Sequence, residues 1–168
     1  LMRNDLARVS QAGSVKVEAP FAIESYPTVH QMVTTVNARL SPGEDVRSLL
    51  SAIFPCGSIT GAPKIRAMQI IDELEPCRRG PYGGGMGYAS LDGEMDIALA
   101  LRTIVTPLAE RDGATWMYHM QASGGIVADS QAAAEFEETV NKAAAMGRAV
   151  DLAEVAWAVQ MQAGAAAE

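Results

Sequence analysis

The amino-acid sequence predicts an α+β fold, with helices packed on a mostly antiparallel sheet. Three observations carry that expectation. Asp92-Gly93 and Asp112-Gly113 are two-residue hairpin signals that divide the apolar segments 86–91, 95–106 and 115–122 into three consecutive antiparallel strands. Ile65, Met68, Ile71 and Leu74 recur at helical spacing along a helix that begins at Pro63 and ends before Pro76. A further helix spans about 131–148, with Ser130 placed to cap it.

The remaining elements follow in order. Residues 1–9 read as the end of a helix, and 14–19 alternate as a strand. Valines at 29, 33 and 36 make 29–40 a second strand, which Ser41-Pro42-Gly43 breaks before a short helix at 45–54. Residues 1–150 form one domain by size, and 151–168 form an alanine-rich tail, either a frayed helix or a linker. The opening run Leu1-Met2-Arg3-Asn4-Asp5-Leu6 looks like a helix entered without a cap. A fragment lacking an N-terminal part is therefore expected.

Composition narrows the function classes. The net charge is −7 and no basic stretch is interleaved with aromatics, which argues against nucleic acid as a partner. No apolar run is long enough to span a bilayer and no signal peptide is present, so no membrane partner is expected. Cys56 and Cys77 lie far apart without metal-ligand spacing, and a reducing cytoplasm is the simplest location.

The loop Phe54-Pro55-Cys56-Gly57-Ser58-Ile59-Thr60-Gly61-Ala62-Pro63-Lys64 runs straight into a helix. Proline at the first helical position leaves the amides of residues 58–62 facing whatever precedes the helix, and Lys64 and Arg66 add positive charge. A carboxylate or phosphate is the natural guest. The frame is not that of a nucleotide loop, because Ala62-Pro63 separates Gly61 from Lys64, and Gly83-Gly84-Gly85-Met86-Gly87 does not open a helix.

Other residues carry two readings each. Glu135, Glu138 and Lys142 share one helix face; they can hold a hard divalent cation, or form a solvated face with an ordinary Glu138–Lys142 ion pair. Arg102 interrupts the apolar run 97–105 and suits a carboxylate, or else forms a structural salt bridge or faces water at a sheet edge. Tyr82 lies beside Gly83-Gly84-Gly85, either where backbone approaches a ligand or on a surface loop. Ser123-Gly124-Gly125-Ile126-Val127 can offer amides to an anion, or is a tight strand-to-helix bend. His30 and His119 are isolated and read as strand residues.

Taken together, these segments resemble the chorismate-utilising enzymes. The resemblance rests on Arg3-Asn4-Asp5-Leu6-Ala7-Arg8, on Gly57-Ser58-Ile59-Thr60-Gly61-Ala62-Pro63-Lys64-Ile65-Arg66-Ala67-Met68 and on Asp72-Glu73-Leu74-Glu75-Pro76. It continues through Arg78-Arg79-Gly80-Pro81-Tyr82, Met95-Asp96, Leu101-Arg102-Thr103 and Gly124-Gly125-Ile126-Val127-Ala128-Asp129-Ser130, in order, to about residue 150. Within the family, the forms of the residue 55–64 loop and of 124–131 lean toward aminodeoxychorismate synthase component I. Anthranilate synthase component I is the close alternative, and a non-catalytic chorismate-binding or subunit-interaction module is the reading from another class.

The resemblance implies the C-terminal part of the chorismate-binding, anthranilate synthase component I-like fold. It implies chorismate, a dianion, as substrate, with Mg²⁺ on the ring carboxylate held by a glutamate matching Glu138 with Glu135 alongside. Lys142 and amides near Gly125 assist at that end, Tyr82 and Arg102 grip the enolpyruvyl carboxylate, and Ser58 contacts the ring region. Amination of chorismate to 4-amino-4-deoxychorismate, for folate synthesis, would draw ammonia from a separate glutamine amidotransferase subunit. The catalytic positions are Glu135, Lys142 and Gln31, where the family usually has histidine; an amide can hydrogen-bond a leaving hydroxyl but cannot deliver a proton. Ser123 replaces a usual glycine. A lysine nucleophile in a Pro-Ile-Lys-Gly-Thr segment and a further metal-ligating glutamate are expected upstream of Leu1. The isolated 168-residue chain is accordingly expected to be inactive and marginally folded.

Overall fold

The computed structural model describes residues 1–27, 29–113 and 115–165, with side chains through residue 160. Residues 1–78 with 83–98 form one unit, and residues 79–82 with the chain from Leu99 onward form a second. The architecture is α+β, and the strands of every assigned pair run antiparallel where their register is defined. Among the described residues there are three two-stranded sheets rather than one continuous sheet.

In the first unit, α1 (Met2–Ala7) precedes a hairpin of β1 (Lys16–Ser25) and β2 (His30–Asn37). Strand β1 starts and ends later than its alternation suggests. Its register shifts between Glu18 and Ala22, where Ala19 and Phe21 adopt φ of 44° and 58° and the Phe21 N–H donates to Thr34 Oγ1 at 2.9 Å. Helix α2 (Val46–Ile53) starts where a capping box dictates: Ser48 N–H donates to Asp45 Oδ1, and Asp45 N–H donates to Ser48 Oγ, both at 2.8 Å. The Ser48 amide bond holds the Asp45 carboxyl below its ordinary value.

A one-turn helix α3 (Gly57–Thr60) then leads into α4 (Lys64–Leu74). Of the expected apolar stripe of α4, Ile71 is half-buried, together with Lys64 and Ala67, while Ile65 and Leu74 are 75% and 76% exposed. Lys64 pairs with Asp5 of α1. Val9, Ala52 and Cys56 supply the small buried apolar cluster of this unit.

Strands β3 (Gly85–Ala89) and β4 (Met95–Leu99) close a hairpin at Asp92-Gly93, with Gly93 at φ 93° as the turn demands. Gly87 is where the two strands approach most tightly. A Cβ there would lie 1.9 Å from the Asp96 carbonyl oxygen and 2.7 Å from Ile97 Cα. Backbone cannot yield as a side chain does, so Gly87→Ala is expected to cost about 3 kcal/mol. Urea unfolding of the complete protein measures it; an unchanged midpoint would show that the hairpin relaxes freely.

The long apolar segment 95–106 is not one strand. Strand β4 ends at Leu99, a Leu101 N–H to Leu99 carbonyl bond of 2.8 Å makes a turn, and β5 (Ile104–Val105) follows. Arg102 sits in the turn at φ 52°. Strand β5 pairs with β6 (His119–Met120), so only two residues of the expected 115–122 strand join a sheet. Helix α5 (Ala132–Ala165) runs without a break past residue 148, through most of the alanine-rich segment. No helix among the described residues is long and apolar enough to cross a membrane.

Candidate functional site

The glycine-rich loop before α4 already holds an anion, and it is the chain's own. Winding of α3 returns the Ile59 and Thr60 amides to the Cys56 carbonyl at 2.9 and 3.0 Å, and the Gly61 amide to Gly57 at 2.8 Å. The Gly57 amide donates to Asp5 Oδ2 at 2.8 Å, and Lys64 Nζ lies 2.9 Å from Asp5 Oδ1. Asp5 is only 2% exposed. Sequence logic found a spot that attracts a carboxylate, but could not see that Asp5 fills it. Pro63 is the N-cap of α4 rather than its first helical residue. Burial pushes the neighbouring Cys56 thiol up, with Asp5 adding to the shift and Lys64 opposing it. Ser58 is exposed on α3, and Gln31 is exposed on β2 opposite Glu24; both belong to the first unit.

The second unit brings the other candidates together. Glu135 and Glu138, one turn apart at the start of α5, lean over the same glycine. A Cβ on Gly124 would lie 3.1 Å from Glu135 Oε2 and 3.9 Å from Glu138 Oε1. Gly124 is therefore a residue whose lack of a side chain leaves room beneath the carboxylates. Ser130 Oγ donates to Glu135 Oε1 at 2.6 Å and accepts from Val127 N–H at 3.0 Å. It orients a carboxylate instead of capping the helix.

Lys142 forms the expected ion pair with Glu138 and also donates to the Ser123 carbonyl at 3.2 Å. The Ser123 hydroxyl lies 2.7 Å from the Tyr82 hydroxyl. Arg102 is exposed rather than buried within a strand, and has no hydrogen-bond or ion-pair partner among the described residues. Its left-handed backbone, unusual for a residue other than glycine, places it at two adjoining cavities. An open cleft of about 420 Å³ is lined by Arg102, Ala134, Glu137, Glu138, Asn141 and Lys142. A smaller hollow of about 100 Å³ is lined by Tyr82, Arg102, Gln121, Ser123 and Lys142 among others.

Sequence reasoning missed Glu137 and Asn141, which lie within the helix span 135–142 already singled out but line the cleft from beside the chosen face. Gly124 enters that reasoning for its amide, not for the space it leaves beneath the carboxylates. Chemically, the cluster sets two cations, Arg102 and Lys142, beside two carboxylates. Among the described residues no group of three or more His, Cys, Asp or Glu is poised around a metal position. Two hard oxygen donors above a bare glycine do fit Mg²⁺, which commonly takes one or two carboxylates together with a substrate anion.

The signature described as "chorismate binding enzyme" matches residues 1–148, nearly the whole chain. The chain belongs to the chorismate-binding enzyme family. Among curated members, it is 52% identical over 154 residues to "Anthranilate synthase component 1" of Pseudomonas aeruginosa, covering 92% of this chain and 30% of that protein. It is 50% identical over 144 residues to "Aminodeoxychorismate synthase component 1" of Klebsiella aerogenes, covering 84% of this chain and 30% of that protein. Among solved structures, anthranilate synthase component I from Streptococcus pneumoniae superposes with a TM-score of 0.69 at 38% identity, over 84% of this chain and 31% of that one. The chain thus spans about three tenths of the length of these relatives. The motif lean toward aminodeoxychorismate synthase does not separate the two branches, since relatives of both kinds lie at about the same identity.

Proposed function

We propose that the complete protein carrying this chain acts as component I of an anthranilate synthase, aminating chorismate with ammonia from a glutamine amidotransferase partner. Support comes from relatives named for that activity at 52% and 49% identity in Pseudomonas and Thermus. The observation that carries the site is the juxtaposition of Arg102 and Lys142 with the two carboxylates above Gly124. A dianion with its carboxylates at two ends suits such a divided site.

In this reading Arg102 and the Tyr82 hydroxyl hold the enolpyruvyl carboxylate. Glu138 and Glu135 would hold Mg²⁺, which when bound would supply positive charge to the ring carboxylate and draw electron density from the ring. Lys142, fixed by Glu138 and the Ser123 carbonyl, adds charge at the same end. Glu135 spends Oε1 on Ser130 and presents Oε2 over Gly124 as its free oxygen donor. Ammonia adds beside the ring carboxylate, the 4-hydroxyl leaves as water, and the side chain leaves as pyruvate; 2-aminobenzoate remains. Ser58 and Gln31 have no assigned part in these steps.

The second reading, formation of 4-amino-4-deoxychorismate, is favoured by the Klebsiella relative and by the forms of the 55–64 and 124–131 segments. Incubating the complete protein with chorismate, ammonium and Mg²⁺ separates the two. The expected outcome is a fluorescent aromatic product with one pyruvate per chorismate consumed. A non-aromatic product without pyruvate would favour the second reading. Failure to bind or consume chorismate would overturn both.

A further inference from the structure

We infer that Ser123 is a positioning residue that sets chorismate affinity by aiming the Tyr82 proton into the site; the inference rests on the proposed reading of that site. Ser123 contacts two of the groups assigned to the substrate. Its hydroxyl is 2.7 Å from the Tyr82 hydroxyl, and its carbonyl accepts from Lys142 Nζ at 3.2 Å. All three residues, with Arg102, line the same small hollow. Among the described residues Tyr82 has no other side-chain hydrogen bond, and Arg79 stands 6.0 Å from its ring centroid, too loose a contact to fix the hydroxyl.

Hydrogen-bond direction decides the role. Each hydroxyl can donate one proton. A carboxylate only accepts, so Tyr82 contributes to holding one when its own proton points outward. That requires the Ser123 hydroxyl to donate to the Tyr82 oxygen. Donation also strengthens the outward bond, because hydrogen bonds in a chain polarise one another. The Ser123 carbonyl on Lys142 is main-chain and survives side-chain substitution, so the side-chain effect runs through Tyr82 alone.

The test is a double-mutant cycle in the complete protein, with steady-state kinetics in chorismate. Ser123→Ala is expected to raise KM for chorismate about fivefold with kcat within about twofold, the size of one neutral hydrogen bond. Ser123→Thr, which keeps the hydroxyl, restores most of the loss. In a Tyr82→Phe background, Ser123→Ala adds no further change. An unchanged KM in Ser123→Ala, or an equal increase with and without the Tyr82 hydroxyl, would overturn the inference while leaving the site assignment intact. A parental protein that does not bind chorismate overturns both.

Discussion

Replacing Glu138 by alanine in the complete protein is expected to lower kcat/KM for chorismate roughly a hundredfold or more, while its melting temperature barely moves. The two halves of that expectation have separate causes. The Glu138–Lys142 pair spans one helical turn and the glutamate side chain is 52% exposed, so the pair itself contributes at most about 1 kcal/mol to folding. The functional loss is larger because one change removes two charge-assisted contacts. A carboxylate disappears from above Gly124, and Lys142 loses the partner that steadies it beside Ser123. Two such contacts at about 1.5 kcal/mol or more each amount to about two orders of magnitude. Titrating Mg²⁺ into the assay isolates the first part, since the variant should need far more metal to reach half its rate. Wild-type metal dependence in Glu138→Ala would remove this residue from the proposed metal site.

The largest effect on stability is expected at Asp5, far from that cluster in sequence. Its carboxylate is the buried junction of α1, α3 and α4, accepting from Gly57 N–H and pairing with Lys64, which also donates to the Ile53 carbonyl at 3.4 Å. Asp5→Ala leaves a buried amide without an acceptor and an ammonium without its counter-charge. Breaking such a pair from one side costs about 3–5 kcal/mol. Lys64→Met should fall in the same range, since it strands the carboxylate instead. Urea unfolding of the complete protein reads both; a loss below about 1 kcal/mol for either would show that solvent reaches the junction. The double variant Asp5→Ala/Lys64→Met is expected to cost less than the sum, because the two changes remove one shared interaction.

Local chemistry made much of this legible in the sequence. The short helix starting near Asp45, Pro76 lying just past α4 and Asp92-Gly93 turning β3 into β4 are all decided by residues within a few positions. The shared face of Glu135, Glu138 and Lys142 is likewise a matter of helical period. What stayed hidden depends on residues brought together from afar. Asp5 reaches Gly57 across fifty-two positions, and no local pattern announces it. The Lys64–Asp5 pair beside α4 was hidden for the same reason, since its partners lie far apart in the chain. The turn at Arg102 was invisible for another reason: an apolar run with one arginine reads as strand, and only glycine, asparagine or aspartate would have flagged a left-handed residue.

That turn has a wider consequence. Holding a non-glycine residue at positive φ costs of order 1 kcal/mol or more. Selection for thermal robustness alone would favour glycine at position 102, the substitution that discards the guanidinium. Directed evolution toward a hardier protein should therefore be steered away from this position, where heat tolerance and the proposed substrate contact of Arg102 pull in opposite directions.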